Sequence, residues 1–251
     1  MADVTVEGSL AADAELRANR WKVATDADTI YEFFTTGASA DFKYRKSTDG
    51  GASWAAAVSV YTTNDVYSFD VYYAPWAPNG TGTKIHIVWH DFGDAYRYRS
   101  LDTASDTLGS VVDIKTGSTT NSAPAIITAD NITFTLAENG DLHVFFKHTD
   151  ANDNGHYKST AASAGASWTS RTTFYQGDYN DLFMIFPAGG ATDDIAVLWW
   201  DESASEVKVF IHDDSANTNG TPVSVGTSLD FDISGTEYWQ WAAAQRHSDK
   251  H

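Results

Sequence analysis

The sequence predicts an all-β fold built from a repeated unit of four short antiparallel strands. Three observations predict it. A pattern of paired strands recurs four times at a nearly constant spacing. Aromatic residues make up 14% of the chain, and their bulk suits the half-buried face of a strand. Short alternating runs are separated by turns of Gly, Asp, Asn and Ser, residues that favour tight turns. Taking Phe33, Trp89, Phe145 and Trp199 as equivalent, the copies stand 56, 56 and 54 residues apart. Such a period, carried by short strands, indicates a β-propeller or a related repeat array.

The elements follow in order. The first unit reads as Arg20–Val23, Thr29–Phe34, Phe42–Asp49 and Val58–Tyr61. The second has an inner strand at Asp70–Tyr73, then Lys84–Asp91 and Tyr96–Asp102. The third has Ile132–Thr135, Asp141–Phe146, Gly155–Thr160 and Arg171–Phe174, and the fourth Leu182–Phe186, Ile195–Asp201 and Glu206–Asp214. The repeats fall near 19–65, 70–118, 131–176 and 182–228, and a partial fifth at 236–251 opens with Glu237-Tyr238-Trp239-Gln240-Trp241. The expectation is one domain over 1–251, a β-propeller of four-stranded antiparallel blades. It is five-bladed, with a last blade that is incomplete or a composite using Asp3–Val6. A piece of a longer propeller is the second arrangement. Ser9 to Ala18 is a candidate short helix with Ser9 as its N-cap.

The 251 residues carry 34 acidic and 16 basic side chains, for a formal charge of −18. So negative a surface repels phosphate backbones, which sets nucleic acid aside as a partner. The chain has no Cys, which removes disulfides, thiolate nucleophiles and Cys-ligated metals. Met1–Glu7 lacks a basic stretch followed by an apolar run, so no signal peptide is read there. No segment is long and apolar enough for a membrane-spanning helix. The compartment stays unassigned, with an extracellular or virion setting reached by a non-classical route as one option.

Ser47-Thr48-Asp49-Gly50-Gly51-Ala52-Ser53-Trp54 fits the pattern S-x-D-x-G-x-x-W. It resembles the Asp box of bacterial-type sialidases and related propellers. A degraded copy follows in the third repeat at Ser159-Thr160-Ala161, with Gly165 and Trp168 after a two-residue insertion. The second repeat keeps Ser100 and Asp102, and the fourth keeps Asp214. The motif has a local physical basis: Asp binds the N–H groups of its own turn, Gly51 permits a positive φ, and Trp54 packs on the hairpin. Ser47, Asp49, Gly51 and Trp54 are therefore expected to be structural. The resemblance implies a sialidase-like propeller, whose enzymes use three Arg on a substrate carboxylate, a Tyr–Glu nucleophile pair and an Asp acid/base. Arg20 falls near the place of the first Arg, with Trp21-Lys22 where that family has Ile-Pro, and Thr35-Thr36-Gly37 stands where the second Arg belongs. No catalytic residue is assigned.

Trp76-Ala77-Pro78 is similar to a segment of five-bladed glycosidases, and Glu32, Asp70, Asp91, Asp181, Asp201 and Glu237 are carboxylates that such chemistry would draw on. Asp150, Asn152 and Asn154, before Gly155, match the start of a calcium loop, although position twelve is Ala161 rather than Glu. Ca²⁺ is thus the one candidate cofactor, against an ordinary polar turn. His86 and His143 occupy matching strand positions, and no His pair has zinc-like local spacing with a third ligand. Three sequons at Asn79, Asn131 and Asn219 read as Asn/Thr-rich turns. Arg20, Tyr72, Trp76, Asp181 and Trp239 are the candidate ligand contacts, since aromatic planes stack on sugar rings and charged side chains bond hydroxyls. The expected function is glycan recognition without catalysis, with a glycan or glycoconjugate as partner. A glycoside hydrolase and a structural module of a homo-oligomer or larger assembly are the alternatives.

Overall fold

The structure is a computed structural model that describes residues 20–36, 41–73, 75, 82–91, 95–116, 131–147, 155–161, 163–173, 182–188, 193–201, 204 and 206–227. These residues are all β, without a helix, and form four antiparallel sheets. Sheet A runs β1 (Lys22–Ala24), β2 (Ile30–Thr36), β3 (Asp41–Ser47) and β4 (Val58–Tyr61) side by side. Sheet B runs β5 (Val66–Tyr73), β6 (Lys84–Asp91) and β7 (Ala95–Asp102), with β8 (Thr107–Leu108) and β9 (Val112–Thr116) both paired to β7. Sheet C is β10 (Asn131–Leu136), β11 (Leu142–Lys147), β12 (Gly155–Ser159) and β13 (Thr169–Ser170). Sheet D is β14 (Leu182–Pro187), β15 (Ile195–Asp201) and β16 (Glu206–Asp213), with β17 (Thr218–Asn219) and β18 (Val223–Thr227) both on β16. The candidate helix at Ser9–Ala18 and the fifth repeat at 236–251 lie outside the described residues.

Contacts group the chain into two compact units. Met1–Pro75 with Thr81–Ser118 holds sheets A and B, and Trp76–Gly80 with Thr119–His251 holds sheets C and D. In the first unit β1 lies beside β5, and in the second β10 lies beside β14. Every sheet is a meander of sequential strands, because short polar turns return the chain antiparallel to itself. The outer strand of sheet C falls earlier than expected: Thr169–Ser170 pairs with β12, and Arg171 adds one backbone bond to it, its N–H donating to His156 O at 2.8 Å.

Alternation sets the core. In β3, Phe42 and Tyr44 are buried while Lys43 and Arg45 are partly exposed, as a period of two requires. The first unit's core sets Tyr31, Phe33, Phe42, Tyr44 and Tyr61 of sheet A against Phe69, Ile85, Ile87 and Trp89 of sheet B. Aromatic rings meet there, Phe42 with Phe69 at 4.5 Å between centroids and Tyr61 with Trp89 at 5.2 Å. Burial of each such side chain contributes about 1.5–3 kcal/mol. In the second unit a core cluster joins Phe145 of sheet C to Ile185, Ile195, Val197, Trp199 and Phe210 of sheet D. Phe33 and Trp89, matched by spacing, thus enter one core from facing sheets. Equivalent side chains would sit on the same face of successive sheets, so an odd register offset separates them.

Candidate functional site

The strands bring two of the expected ligand contacts together. Asp70 and Tyr72 stand two residues apart on β5 and share a face. Arg20, just ahead of β1, reaches both. Its Nε donates to Asp70 Oδ1 at 2.7 Å, its Nη2 donates to Oδ2, and its guanidinium lies 4.6 Å from the Tyr72 ring centroid. Asp70 is fully buried, and the Arg20 side chain keeps 27% of its surface exposed. The paired bonds of a guanidinium–carboxylate fork fix orientation as well as charge. The result is a partly exposed cation held rigidly by a carboxylate beneath it and an aromatic ring beside it. The sialidase resemblance singled out Arg20, and a place among the aromatics near the inner strands singled out Tyr72; Asp70 appeared only among the many carboxylates. Trp76, Asp181 and Trp239, and the loop residues Asp150, Asn152 and Asn154, lie outside the described residues.

A second polar cluster closes the β6–β7 hairpin. Tyr61 Oη donates to Asp91 Oδ2 at 2.5 Å, Arg97 Nε donates to the same oxygen at 2.6 Å, and the Ala95 N–H donates to Oδ1 at 3.2 Å. Burial alone would raise the Asp91 carboxyl, but the bonds from Tyr61 and Arg97 hold it below the usual carboxylate range. Burial, followed by the bond to Asp91, raises the Tyr61 phenol. Asp201 repeats the arrangement at the end of β15, accepting from Lys208 Nζ at 2.6 Å.

The Asp-box segment forms a self-contained turn. Asp49 accepts from the Ser53 N–H at 2.8 Å, from Ser53 Oγ at 2.6 Å and from Ser47 Oγ at 2.8 Å, and Ser47 Oγ accepts from the Gly51 N–H at 2.8 Å. Bonds from Ser53 and then Ser47 lower the Asp49 carboxyl. Gly51 takes φ +92°, in the left-handed region, where a side chain is strained. In the degraded copy, Ser159 Oγ accepts from the Gly165 N–H at 2.9 Å, Gly165 takes φ +87°, and Asp141 accepts from the Ala161 N–H at 2.7 Å. Asp141, in the turn between β10 and β11, thus holds the backbone of the residue that stands in the missing Asp's place. In the fourth repeat, Asp213 rather than Asp214 makes the turn that Asp102 makes. Each accepts from the N–H three residues on, and a positive φ follows four residues on at Asp106 and Asn217. Asp214 instead pairs with Lys158 and with Arg171, the latter at 2.8 Å.

The second unit also buries three imidazoles. His143 Nδ1 lies 3.0 Å from His156 Nε2, the His156 and His212 rings meet edge to face at 4.6 Å, and His212 Nδ1 lies 2.8 Å from Asn219 Oδ1. Burial depresses all three, His143 and His156 well below the ordinary histidine value. No local spacing links them, since His156 is 13 residues from His143 and 56 from His212. Among the described residues, no group of three or more His, Cys, Asp or Glu is arranged to hold a metal ion. No described helix is long and apolar enough to cross a membrane.

No protein-family model and no curated protein matches this sequence. Solved structures do match its fold. The intramolecular trans-sialidase of Ruminococcus gnavus superposes with a TM-score of 0.50 at 13% identity, over 75% of this chain and 41% of that one. An ulvan lyase of a polysaccharide lyase family superposes with a TM-score of 0.51 at 16% identity, over 83% of this chain and 55% of that one. The chain therefore spans between four-tenths and rather more than half the length of these structures. The fold they define is the β-propeller of antiparallel blades, of the kind seen in sialidases.

Proposed function

We propose that this chain is a carbohydrate-recognition β-propeller that binds glycan without chemical turnover. The observation that carries the reading is the Arg20–Asp70–Tyr72 group, a partly exposed donor fixed before any ligand arrives. Fixing a donor in advance reduces the ordering cost of binding. Support also comes from the fold neighbours, which include a trans-sialidase and an ulvan lyase. The non-catalytic part rests on the sequence, where Trp21-Lys22 and Thr35-Thr36-Gly37 stand in place of the residues around the first Arg and of the second Arg of the sialidase triad. Descent from Asp-box propellers belongs to the same proposal and is supported by the turn built from Ser47, Asp49 and Gly51. So do a single domain over 1–251 and a Ca²⁺ contribution from the 150–155 loop.

The test is a broad glycan array, run with and without Ca²⁺, on the natural chain and on a doubly substituted variant. Changing Arg20 alone would strand a buried Asp70 charge at a cost of about 3–5 kcal/mol. Arg20→Leu with Asp70→Leu removes both charges together and keeps the protein folded. The expected result is selective binding to one glycan class, reduced at least about tenfold in the variant, a loss of about 1.4 kcal/mol. Absence of binding under both conditions would overturn the proposal, and equal binding by the folded variant would remove Arg20 from the site.

A further inference from the structure

Trp21, Val23, Phe69 and Val71 all pack into the first unit's core. Alternation therefore turns Arg20, Lys22, Asp70 and Tyr72 to the opposite face of the neighbouring strands β1 and β5. The two cations there are both set against carboxylates. Arg20 gives the Nε and Nη2 edge of its guanidinium to the two oxygens of Asp70. Lys22 stands opposite Glu32 in the register of β1 and β2, with 3.9 Å between Nζ and Oε2. Further along the same face of sheet B, Lys84 stands opposite Asp102. His86, opposite Tyr72, is uncharged at neutral pH, because burial lowers it to about 4.

A site that captures a carboxylate or sulfate needs a positive charge that is not already offset. The charge of Arg20 is offset by Asp70, whose side chain is fully buried and so is little screened by water. An anionic sugar group meeting the exposed part of Arg20 would face that second negative charge across a single guanidinium, and like charges brought together disfavour binding. The formal charge of −18 over the chain adds a repulsive field at longer range. A sugar hydroxyl meets none of this opposition. It needs a hydrogen-bond partner, which the guanidinium supplies, and the ring of Tyr72 beside it suits the C–H face of a pyranose. Given the function proposed above, on which this step rests, we infer that the Arg20–Asp70–Tyr72 site selects uncharged sugars over sugars that carry a carboxylate or a sulfate.

The test compares matched glycans on the full-length chain. One set is a galactose-terminated oligosaccharide, the same chain capped with sialic acid, and the same chain sulfated on the galactose. A second pair ends in glucose or in glucuronic acid. In any set that binds, the neutral member is expected to bind at least about tenfold more tightly than its anionic counterparts, with an affinity that changes little between low and high salt. Asp70→Asn keeps an acceptor oxygen for Arg20 and removes the offsetting charge, so it should shift the preference several-fold toward the anionic members. Equal or tighter binding of the anionic members by the natural chain would overturn the inference and leave glycan recognition standing. A folded Asp70→Asn variant with an unchanged preference would also overturn it. If that variant does not fold, the matched comparison on the natural chain still decides. Binding to no member of any set would overturn glycan recognition itself, and this inference with it.

Discussion

Acidification will unfold the first unit partly through His86. This imidazole lies in β6, is 9% exposed, and has Nδ1 2.8 Å from the Tyr98 hydroxyl. Burial, with a smaller contribution from Lys84, lowers it from 6.5 to about 4. The folded state therefore keeps the ring neutral where the unfolded chain would already bind a proton. A histidine depressed in this way contributes no pH dependence above 6.5. Its cost grows as pH falls through 6.5 and levels off below about 4. With 1.36 kcal/mol per pH unit, the full loss is about 3 kcal/mol, and about 2 kcal/mol of it has appeared by pH 5. Urea denaturation of the natural chain and of His86→Gln, at constant ionic strength from pH 7.5 to 4.5, measures it. The glutamine keeps a hydrogen-bonding side chain without a titrating proton. The natural chain should lose about 2 kcal/mol more than the variant between pH 7 and 5. Asp91 and Asp106, held below the usual carboxylate range, lose their contribution only at lower pH. Parallel pH profiles would refute the assignment of a buried neutral imidazole at this position.

Three further outcomes are expected. Gly155→Ala should destabilise the protein by about 1–3 kcal/mol, because the new methyl would fall inside the buried Phe146 ring that lies over this glycine; thermal melting measures it, and adding Phe146→Leu should recover part of the loss. Asn219 should stay unmodified in a glycosylating host, because its Nδ2 donates to Thr173 O at 2.9 Å and its Oδ1 contacts His212; mass spectrometry of the peptide decides. Hydrogen exchange at pH 5 against pH 7, corrected for intrinsic rate, should show β11, β12 and β16 losing more protection than β2 and β3, since His143, His156 and His212 are held neutral by burial beside Lys158 and Arg171. Equal losses in both sets would count against that cluster as an acid-sensitive contact.

The strands were legible because burial on one face writes itself as alternation. Phe42 and Tyr44 against Lys43 and Arg45 is a local pattern, and so is the Asp-box turn, whose side-chain bonds from Ser47 and Asp49 fall within residues 47–53. Facing was not legible. Phe33 and Trp89 look alike at a spacing of 56, yet they meet in one core, because a shift of one residue in register reverses the face without altering composition. The turn of the fourth repeat was misplaced by one residue for the same reason, Asp213 and Asp214 being adjacent and chemically identical. In the candidate site, Arg20 and Tyr72 could be read from type and position, but their link through Asp70 spans 50 residues and depends on β1 lying beside β5, a tertiary fact that local spacing does not encode.

Register also explains why the two units differ in chemistry while sharing a plan. Tyr31 pairs with Lys46 and Phe33 with Tyr44 in sheet A; His143 pairs with Lys158 and Phe145 with His156 in sheet C. The diagonal neighbours are thus Tyr31 with Tyr44, 5.9 Å between centroids, and His143 with His156, 5.3 Å. Each lysine reaches a turn of the next sheet, Lys46 to Asp106 and Lys158 to Asp214. One scaffold therefore holds phenols in one unit and imidazoles in the other. The phenol of Tyr31 donates to Asp106 at 2.7 Å and is pushed further up by burial, so it stays neutral throughout the physiological range. The imidazoles occupy the same places with an ordinary value near 6.5, and burial, with nearby Lys158 and Arg171, keeps them uncharged. The same diagonal contact within a sheet is consequently indifferent to mild acid at Tyr31 and Tyr44 in sheet A and vulnerable to it at His143 and His156 in sheet C. Exchanging His143 and His156 for tyrosines is the change that would carry the acid tolerance of the Tyr31–Tyr44 contact into sheet C.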